Sequence, residues 1–171
     1  LTEEYQAALP AASALELVNH YSLIHSDIRE AKTERNHNPT VWWVWGPGQA
    51  INAGDGMHAL GRLALLRLQH GSSHYDRTLS ALQILDEACL SMCEGQEMDL
   101  AFQESLTISI DHYLNMVEKR EGALLASAMA LGAMVADNPD VAAGVIDAAM
   151  TANPAAAGAV AGGVLAAVPD G

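Results

Sequence analysis

The segment from His20 to Asp55 constrains the fold more than any other part of the chain. Apolar residues at helical spacing over 15–24 predict a buried helix, and a dense polar cluster interrupts the pattern at its end. On this helix Ser26 lies one turn before Glu30, and Asp27 lies three positions before the same residue. Side chains at these spacings share one helix face, so a hydroxyl and two carboxylates are expected together at this helix end.

The remaining sequence also shows helical periods. Apolar spacing predicts a second helix after Gly48 to about residue 70, a third over 76–100, a fourth from Ser105, and a further one after a kink at 119–122. Beyond Asp137 the composition shifts to Ala, Gly and Val, and two weak helices are expected there. The sequence therefore predicts an all-α protein with a helical core over residues 1–138 and an Ala/Gly-rich C-terminal helical segment over 139–171.

Charge and composition exclude several classes of partner. Eight Lys and Arg against 21 Asp and Glu give a net charge of −13, which argues against nucleic acid and against an anionic membrane surface. The chain has no unbroken apolar run of about 18 residues, so stable membrane insertion is not expected. Without a signal-peptide pattern, a cytoplasmic location is the default expectation. Cys89 and Cys93 are too few for a zinc site and are expected to be small core residues.

Three motifs in the polar segment resemble those of a known enzyme family. Tyr21–Glu30 reads YSLIHSDIRE, Arg35–Trp42 reads RNHNPTVW, and Ala50–Asp55 reads AINAGD. This order is similar to the first aspartate-rich region of the trans-isoprenyl diphosphate synthases, the polyprenyl synthetase family, whose helix reads YSLIHDDxxD. In this alignment the family's first aspartate falls on Ser26, its second on Asp27 and its last on Glu30.

Two further segments extend the resemblance to about residue 138. Residues 94–100 resemble the family's GQxxDL segment, whose glutamine and aspartate, here Gln96 and Asp99, face the active-site cavity. Residues 119–122 occupy the family's KTG break, with Arg120 at the lysine position. The second aspartate-rich motif, QxxDD, is not found further along the sequence. The resemblance therefore implies a helical bundle of the isoprenoid synthase type, incomplete relative to the family.

The resemblance also implies an activity, a metal and a set of site residues. The family condenses an allylic prenyl diphosphate with isopentenyl diphosphate, and its aspartates hold Mg²⁺ ions that neutralise the leaving diphosphate. Asp27 and Glu30 are the implied metal ligands, and together with Arg120 they are the implied catalytic residues. The implied substrate-binding residues are Tyr21, Arg35, Gln96, Asp99 and Lys119. An aromatic ring at position 21 goes with short products in the family, so farnesyl to geranylgeranyl chains are expected.

Departures from the family pattern leave two alternatives open. Asn36 replaces the second residue of a basic pair, and the loss of basic residues at Asn36 and Asn38 fits a class I terpene cyclase, which ionises a prenyl diphosphate without using isopentenyl diphosphate. Ser26, Asn36, Glu121 in place of the KTG threonine, and the missing second motif together fit a non-catalytic synthase-fold partner subunit. Each alternative keeps the fold and changes the chemistry.

Small and apolar helix faces indicate close association. One face of the second predicted helix carries small residues, Gly54, Gly56 and Gly61. Another helix can therefore approach this face closely, either in the core or at a dimer interface. The apolar faces exceed what a partial family fold could bury internally. A homodimer through residues 50–95 is therefore expected.

Overall fold

The computed structural model describes residues 3–68 and 74–136, and the side chains of 8–68 and 77–134. Its helices are α1 (Glu3–Arg29), α2 (Val41–Trp45), α3 (Pro47–Leu65), α4 (His74–Gln103), α5 (Ile110–Val117) and α6 (Ala123–Ala136). Leu66–Leu68 forms a 3-10 turn, Glu118–Gly122 forms a π-helical turn, and β1 (Glu34–Arg35) pairs antiparallel with β2 (Asn38–Pro39). The all-α prediction is confirmed. The expected C-terminal segment 139–171 lies outside the described residues.

Two compact units divide the chain. The first unit is Leu9–Gly71, and the second unit is Leu1–Ala8 together with Ser72–Gly171. Most of α1 belongs to the first unit with the hairpin, α2 and α3, whereas α4, α5 and α6 belong to the second. The domain boundary expected at residue 138 stays a prediction.

Glycines on α3 permit α1 and α3 to pack closely and antiparallel in the first unit. A Cβ at Gly61 would lie 3.1 Å from the carbonyl oxygen of Ala14, and a Cβ at Gly54 would lie 2.3 Å from Nε2 of His25. These two glycines are two helical turns apart and therefore share one face. A Cβ at Gly56 would meet nothing within 4 Å, so Gly56 does not belong to this face, contrary to expectation.

Local backbone signals set the ends of these two helices. α3 begins at Pro47, whose fixed φ suits the first position of a helix. α1 ends in a Schellman motif, in which the amide of Lys32 donates to the carbonyl of Asp27 at 2.9 Å and the amide of Ala31 donates to the carbonyl of Ile28 at 3.2 Å. Ala31 takes the left-handed position of this motif with a φ of 50°, where glycine is usual. The motif reverses the chain directly after the polar cluster.

In the second unit α4 contacts α5, α6 and the π-helical turn. Leu85 on α4 and Met129 and Leu131 on α6 are fully buried. A Cβ at Gly95 would lie 2.4 Å from the backbone nitrogen of Arg120, so only glycine allows this approach of α4 to the π-helical turn. The kink expected near residues 119–122 is this turn, which interrupts the helical run between α5 and α6.

The helix expected from Ser105 begins five residues later. Ser109 has the extended dihedral angles of an N-cap, φ −71° and ψ 153°, and its hydroxyl accepts a hydrogen bond from the amide of His112 at 3.2 Å. An N-cap residue of this kind satisfies an amide that has no partner inside the helix. α5 therefore begins at Ile110.

The cysteines differ in part from expectation. Cys89 is buried, but Cys93 is exposed, so the assignment of both cysteines to the core holds for Cys89 alone. Within residues 3–68 and 74–136, none of the helices combines the length and apolar character that crossing a membrane requires.

Candidate active site

Asp27, near the end of α1, is the one buried charged residue in the described part of the chain, at 5% exposure. Its Oδ1 accepts hydrogen bonds from Nε of Arg35 at 2.9 Å and from Nη2 of Arg35 at 2.7 Å. These hydrogen bonds raise the pKa of Arg35 above its ordinary value; burial opposes the rise, and the charges of Asp27 and Glu30 add to it. Arg35 therefore keeps its positive charge and neutralises Asp27.

A tight hairpin carries Arg35 back to α1. Arg35 pairs with Asn38 across a two-residue turn made by Asn36 and His37, whose φ angles are 50° and 63°. Two consecutive positive φ angles mark a type I′ turn, in which asparagine is a favoured residue. Nδ2 of Asn38 also donates to the carbonyl of Asn36 at 3.0 Å. Asn36, which stands where the family has its second basic residue, thus serves the turn that positions Arg35.

Ser26 and Lys32 both contact Glu30 at the same helix end. Its Oε1 accepts a hydrogen bond from the Ser26 hydroxyl at 2.5 Å, and its Oε2 is ion-paired with Nζ of Lys32. Ser26 is buried, whereas about half of the Lys32 side chain is exposed. The hydroxyl at the family's first aspartate position therefore orients the carboxylate at the last one.

Thr40 and Trp42 hold the loop that follows α1. The Thr40 hydroxyl donates to the carbonyl of Lys32 at 2.7 Å, and Nε1 of Trp42 donates to the same carbonyl at 2.6 Å. Both donors fix the backbone between the end of α1 and the hairpin. Trp43 and Trp45 are instead 60% and 67% exposed. Of the three tryptophans in this segment, Trp42 is thus the one that fastens the loop to the candidate site.

Tyr21 contacts two imidazole rings, one on its own helix and one on α3. The ring centroids of Tyr21 and His25 are 5.0 Å apart, and those of Tyr21 and His58 are 5.1 Å apart. Nε2 of His25 lies 3.3 Å from the carbonyl oxygen of Ile51 and 3.7 Å from Oδ1 of Asp55. The AINAGD motif therefore joins α3 to α1 at His25, directly before the polar cluster that begins at Ser26. A substrate-binding role for Tyr21 stays a prediction.

A second cluster of cations and carboxylates lies in the second unit. Oδ2 of Asp99 on α4 accepts a hydrogen bond from Nη1 of Arg120 at 2.7 Å, and Glu94 is ion-paired with Lys119. Nε of Arg120 also lies 3.4 Å from Oε1 of Glu121. The structure thus brings together Asp99, Lys119 and Arg120, three of the residues that the resemblance assigns to the site.

Gly95 sets the distance between α4 and these cations. Besides the backbone nitrogen of Arg120, a Cβ at Gly95 would meet Cα of Arg120 at 2.8 Å and the carbonyl carbon of Lys119 at 2.9 Å. These atoms belong to the backbone, so they cannot turn aside as the end of a side chain can. Gln96, the next residue on α4, is half-buried, and its assignment to substrate binding stays a prediction.

The carboxylates at the end of α1 do not fit Mg²⁺ in this arrangement. Among the described side chains, no group of three or more His, Cys, Asp or Glu residues is placed to hold a metal ion. Mg²⁺ requires near-octahedral oxygen ligands. Oδ1 of Asp27 already accepts two hydrogen bonds from Arg35, and both oxygens of Glu30 are engaged by Ser26 and Lys32. Cations of the chain itself therefore neutralise these carboxylates.

Three of these contacts involve residues that were not among the predicted site residues, namely Ser26, Lys32 and Glu94. The hydrogen bond from Ser26 to Glu30 had a usable signal, because the two residues are one helical turn apart. The ion pair of Lys32 with Glu30 had a weaker sequence signal, since the two residues are close in sequence. Glu94 as the partner of Lys119, 25 positions away, had no signal.

Comparisons with known proteins agree with these motifs. The family model described as polyprenyl synthetase matches residues 1–152. A short chain isoprenyl diphosphate synthase from Methanocaldococcus jannaschii is 39% identical over 135 residues, which cover 79% of this chain and 40% of that protein. A (2E,6E)-farnesyl diphosphate synthase from Mycobacterium bovis is 36% identical over 133 residues, which cover 78% of this chain and 36% of that protein.

A solved structure gives the same result for the fold. The crystal structure of a polyprenyl synthetase from Streptomyces coelicolor A3(2) superposes with a TM-score of 0.70 at 34% identity, covering 81% of this chain and 40% of that one. This chain therefore spans well under half the length of the relatives it matches. Because the family model and the fold agree over most of these 171 residues, the chain belongs to the polyprenyl synthetase family.

Proposed function

We propose that this protein is a short-chain prenyltransferase that condenses an allylic prenyl diphosphate with isopentenyl diphosphate. The proposal is supported by the matched relatives, which include a short chain isoprenyl diphosphate synthase and a farnesyl diphosphate synthase. The observation that carries it is the pairing of charged residues at the motif positions. Arg35 donates a hydrogen bond to Asp27 in the first unit, and Arg120 donates one to Asp99 in the second unit.

The cations of these pairs have a chemical task in this reaction. Breaking the allylic C–O bond leaves negative charge on the diphosphate, and fixed donors aimed at that charge lower the barrier. Arginine suits this role because its guanidinium binds phosphate oxygens through two parallel hydrogen bonds. In our proposal Arg35 in the first unit contacts diphosphate oxygens, and so do Lys119 and Arg120 in the second unit. Asp27, Glu94 and Asp99 hold these cations in place before the substrate arrives.

Magnesium and location stay predictions within this proposal. The family resemblance implies Mg²⁺ at Asp27 and Glu30, but the arrangement of these side chains does not fit the ion, so no step proposed here depends on it. The cytoplasmic location likewise remains an expectation.

We also propose a homodimer through residues 50–95. Each unit carries exposed apolar side chains in this range: Ile51, Leu60 and Leu63 in the first unit, and Leu79 and Leu90 in the second, are 46–64% exposed. Exposed apolar patches of this kind usually mark association surfaces. Light scattering at high protein concentration tests the proposal, and a strictly monomeric mass would exclude it.

A non-catalytic partner subunit is the second candidate, and one observation favours it. Arg35, Ser26 and Lys32 engage the carboxylates at the end of α1, the place where the family reaction needs available oxygens. A subunit that only associates with another synthase needs these residues for folding alone.

A product assay distinguishes the two candidates. The protein is incubated with geranyl diphosphate, isopentenyl diphosphate and Mg²⁺, and the products are identified by mass spectrometry. A prenyltransferase yields farnesyl or geranylgeranyl diphosphate, and Arg120→Gln is expected to lower turnover about 100-fold, as for loss of one charge-stabilising donor. Arg67→Gln, an exposed change in the 3-10 turn, serves as the control. No product from the protein alone, together with raised activity of an added polyprenyl synthetase, would favour the partner subunit.

A further inference from the structure

The contacts between α1 and α3 in the first unit repeat at regular intervals. A Cβ at Gly61 would lie 3.1 Å from Cγ2 of Val18, and a Cβ at Gly54 would overlap the imidazole of His25. These two contacts are two helical turns apart on each helix, and they follow opposite chain directions, as antiparallel helices require. The turn between the two contacts is therefore held at a short helix separation.

Tyr21 on α1 and His58 on α3 meet in this middle turn. Their ring centroids are 5.1 Å apart, with an interplanar angle of 50°. His25, one turn further along α1, has its ring centroid 5.0 Å from that of Tyr21, in an edge-to-face arrangement. Both separations lie in the range that aromatic rings prefer. The ring of Tyr21 thus contacts one imidazole from its own helix and one from the opposite helix.

We propose that His58 is a positioning residue that fixes the ring of Tyr21 and thereby limits the length of the prenyl chain that the protein binds. The inference rests on the proposed function, in which the Tyr21 ring limits the chain. His25 moves with the helix that carries Tyr21, whereas His58 belongs to α3. The contact with His58 therefore holds the ring in place relative to the opposite helix.

Loss of the His58 ring would leave a space that the helices cannot close. A cavity shrinks only as far as the surrounding structure can relax. Here Gly54 and Gly61 already bring α3 against α1 on both sides of position 58, so α3 cannot move closer to fill the space. The ring of Tyr21 would then have room to turn aside. A longer prenyl chain should fit as a result.

Binding of two prenyl diphosphates that differ by one isoprene unit tests the proposal without turnover. The affinities for geranylgeranyl and geranylfarnesyl diphosphate are measured by calorimetry in the buffer of the product assay, without isopentenyl diphosphate. His58→Ala should raise the affinity for the longer chain relative to the shorter one about tenfold, the effect of losing one aromatic contact. His58→Phe keeps a flat ring in the space and should leave this affinity ratio within about twofold of the unsubstituted protein.

His20→Ala is the matched control. His20 precedes Tyr21 on α1, its side chain is half exposed, and its Nδ1 lies 2.9 Å from the carbonyl oxygen of Glu16. Removing this imidazole should change the affinity ratio by no more than about twofold. A general loss of structure weakens both affinities alike, so the ratio reports the effect on chain length. No shift in His58→Ala, or an equal shift in His20→Ala, would overturn the proposal.

A double variant separates an effect through Tyr21 from direct contact of His58 with the prenyl chain. If His58 acts through the ring, adding His58→Ala to Tyr21→Ala should change the affinity ratio by no more than about twofold. Equal shifts in the presence and absence of the Tyr21 ring would overturn the positioning role. If His58→Ala unfolds, as judged by circular dichroism, His58→Leu decides by the same measurement, because leucine refills the space without a flat ring.

The positioning role and the proposed function can fail separately. A protein that shows the expected shift in affinity but makes no product keeps the positioning role and loses the prenyltransferase function. A protein that makes product, while His58→Ala leaves the affinity ratio unchanged, keeps the function and overturns the positioning role. A protein that binds neither diphosphate overturns both.

Discussion

Replacing Gly95 with alanine is expected to destabilise the protein, although alanine is the better helix former. A Cβ at this position would lie 2.4–2.9 Å from backbone atoms of Arg120 and Lys119. To reach an ordinary carbon contact, α4 and the π-helical turn must separate by about 1 Å. Overpacking against an unyielding backbone costs about 3 kcal/mol, and the gain in helix propensity returns about 1 kcal/mol. The expected net loss is about 2 kcal/mol.

Gly132→Ala is the matched control for this substitution. Gly132 lies on α6 in the same unit, and a Cβ there would meet nothing within 4 Å. The same chemical change should therefore stabilise the protein by up to about 1 kcal/mol. In thermal unfolding followed by circular dichroism, Gly95→Ala should lower Tm by about 4–8 °C, whereas Gly132→Ala should leave it unchanged or raise it.

A second readout connects the steric effect to the candidate site. Separation of α4 from the π-helical turn should weaken the hydrogen bond between Asp99 and Arg120. A double-mutant cycle with Asp99→Asn and Arg120→Gln measures this coupling, and the coupling energy should fall towards zero in the Gly95→Ala background. If the free energy of unfolding of Gly95→Ala lies within about 0.5 kcal/mol of that of Gly132→Ala, the reasoning from close backbone approach is refuted.

Three further predictions concern the first unit. Gly54→Ala should destabilise the protein by about 1 kcal/mol, less than Gly95→Ala, because the obstructing imidazole of His25 can turn aside. Urea unfolding measures this loss of stability. A loss of about 3 kcal/mol or more would contradict the reasoning. Ser26→Asp should lower stability by about 2 kcal/mol without a metal, since a hydrogen bond to Glu30 becomes a like-charge contact. The same variant should bind Mg²⁺ more tightly by calorimetry, and unchanged affinity would place residue 26 away from the metal. Tyr21→Ala should lengthen the prenyl product, and unchanged chain length in mass spectra would count against a role for this ring in limiting it.

Features that depend on spacing within one helix were correct from the sequence. The helical periods predicted the fold class, and the one-turn spacing of Ser26 and Glu30 predicted that these residues share one helix face. The helix expected after Gly48 begins two residues earlier, at Pro47. The three motifs of the polar segment identified the family that the comparisons confirm. A helix has a fixed period, so the helical fold class and the shared face of Ser26 and Glu30 follow from the spacing of residues alone.

Short backbone motifs, such as helix caps and turns, were predicted only in part from the sequence. Ser109 moves the start of α5 to Ile110, because its hydroxyl competes for an amide that a longer helix would use. The left-handed φ angles of Asn36 and His37 turn the hairpin, and no apolar periodicity marks them. Such devices depend on single side chains that hydrogen-bond the backbone or tolerate positive φ, which an analysis of apolar spacing does not weigh.

The partners of the charged residues were decided by tertiary structure. Asp27 was identified from the sequence as a metal ligand, yet its contact with Arg35 exists because the Schellman motif at Ala31 reverses the chain between them and the loop is fastened by Trp42. Arg120 reaches Asp99, 21 positions away, because Gly95 lets two backbones approach. Residue type and number determine which groups are available along each helix. Which of them neutralise each other depends on how closely separate elements pack. For Asp99 and Arg120, the missing Cβ of Gly95 sets the distance between α4 and the π-helical turn.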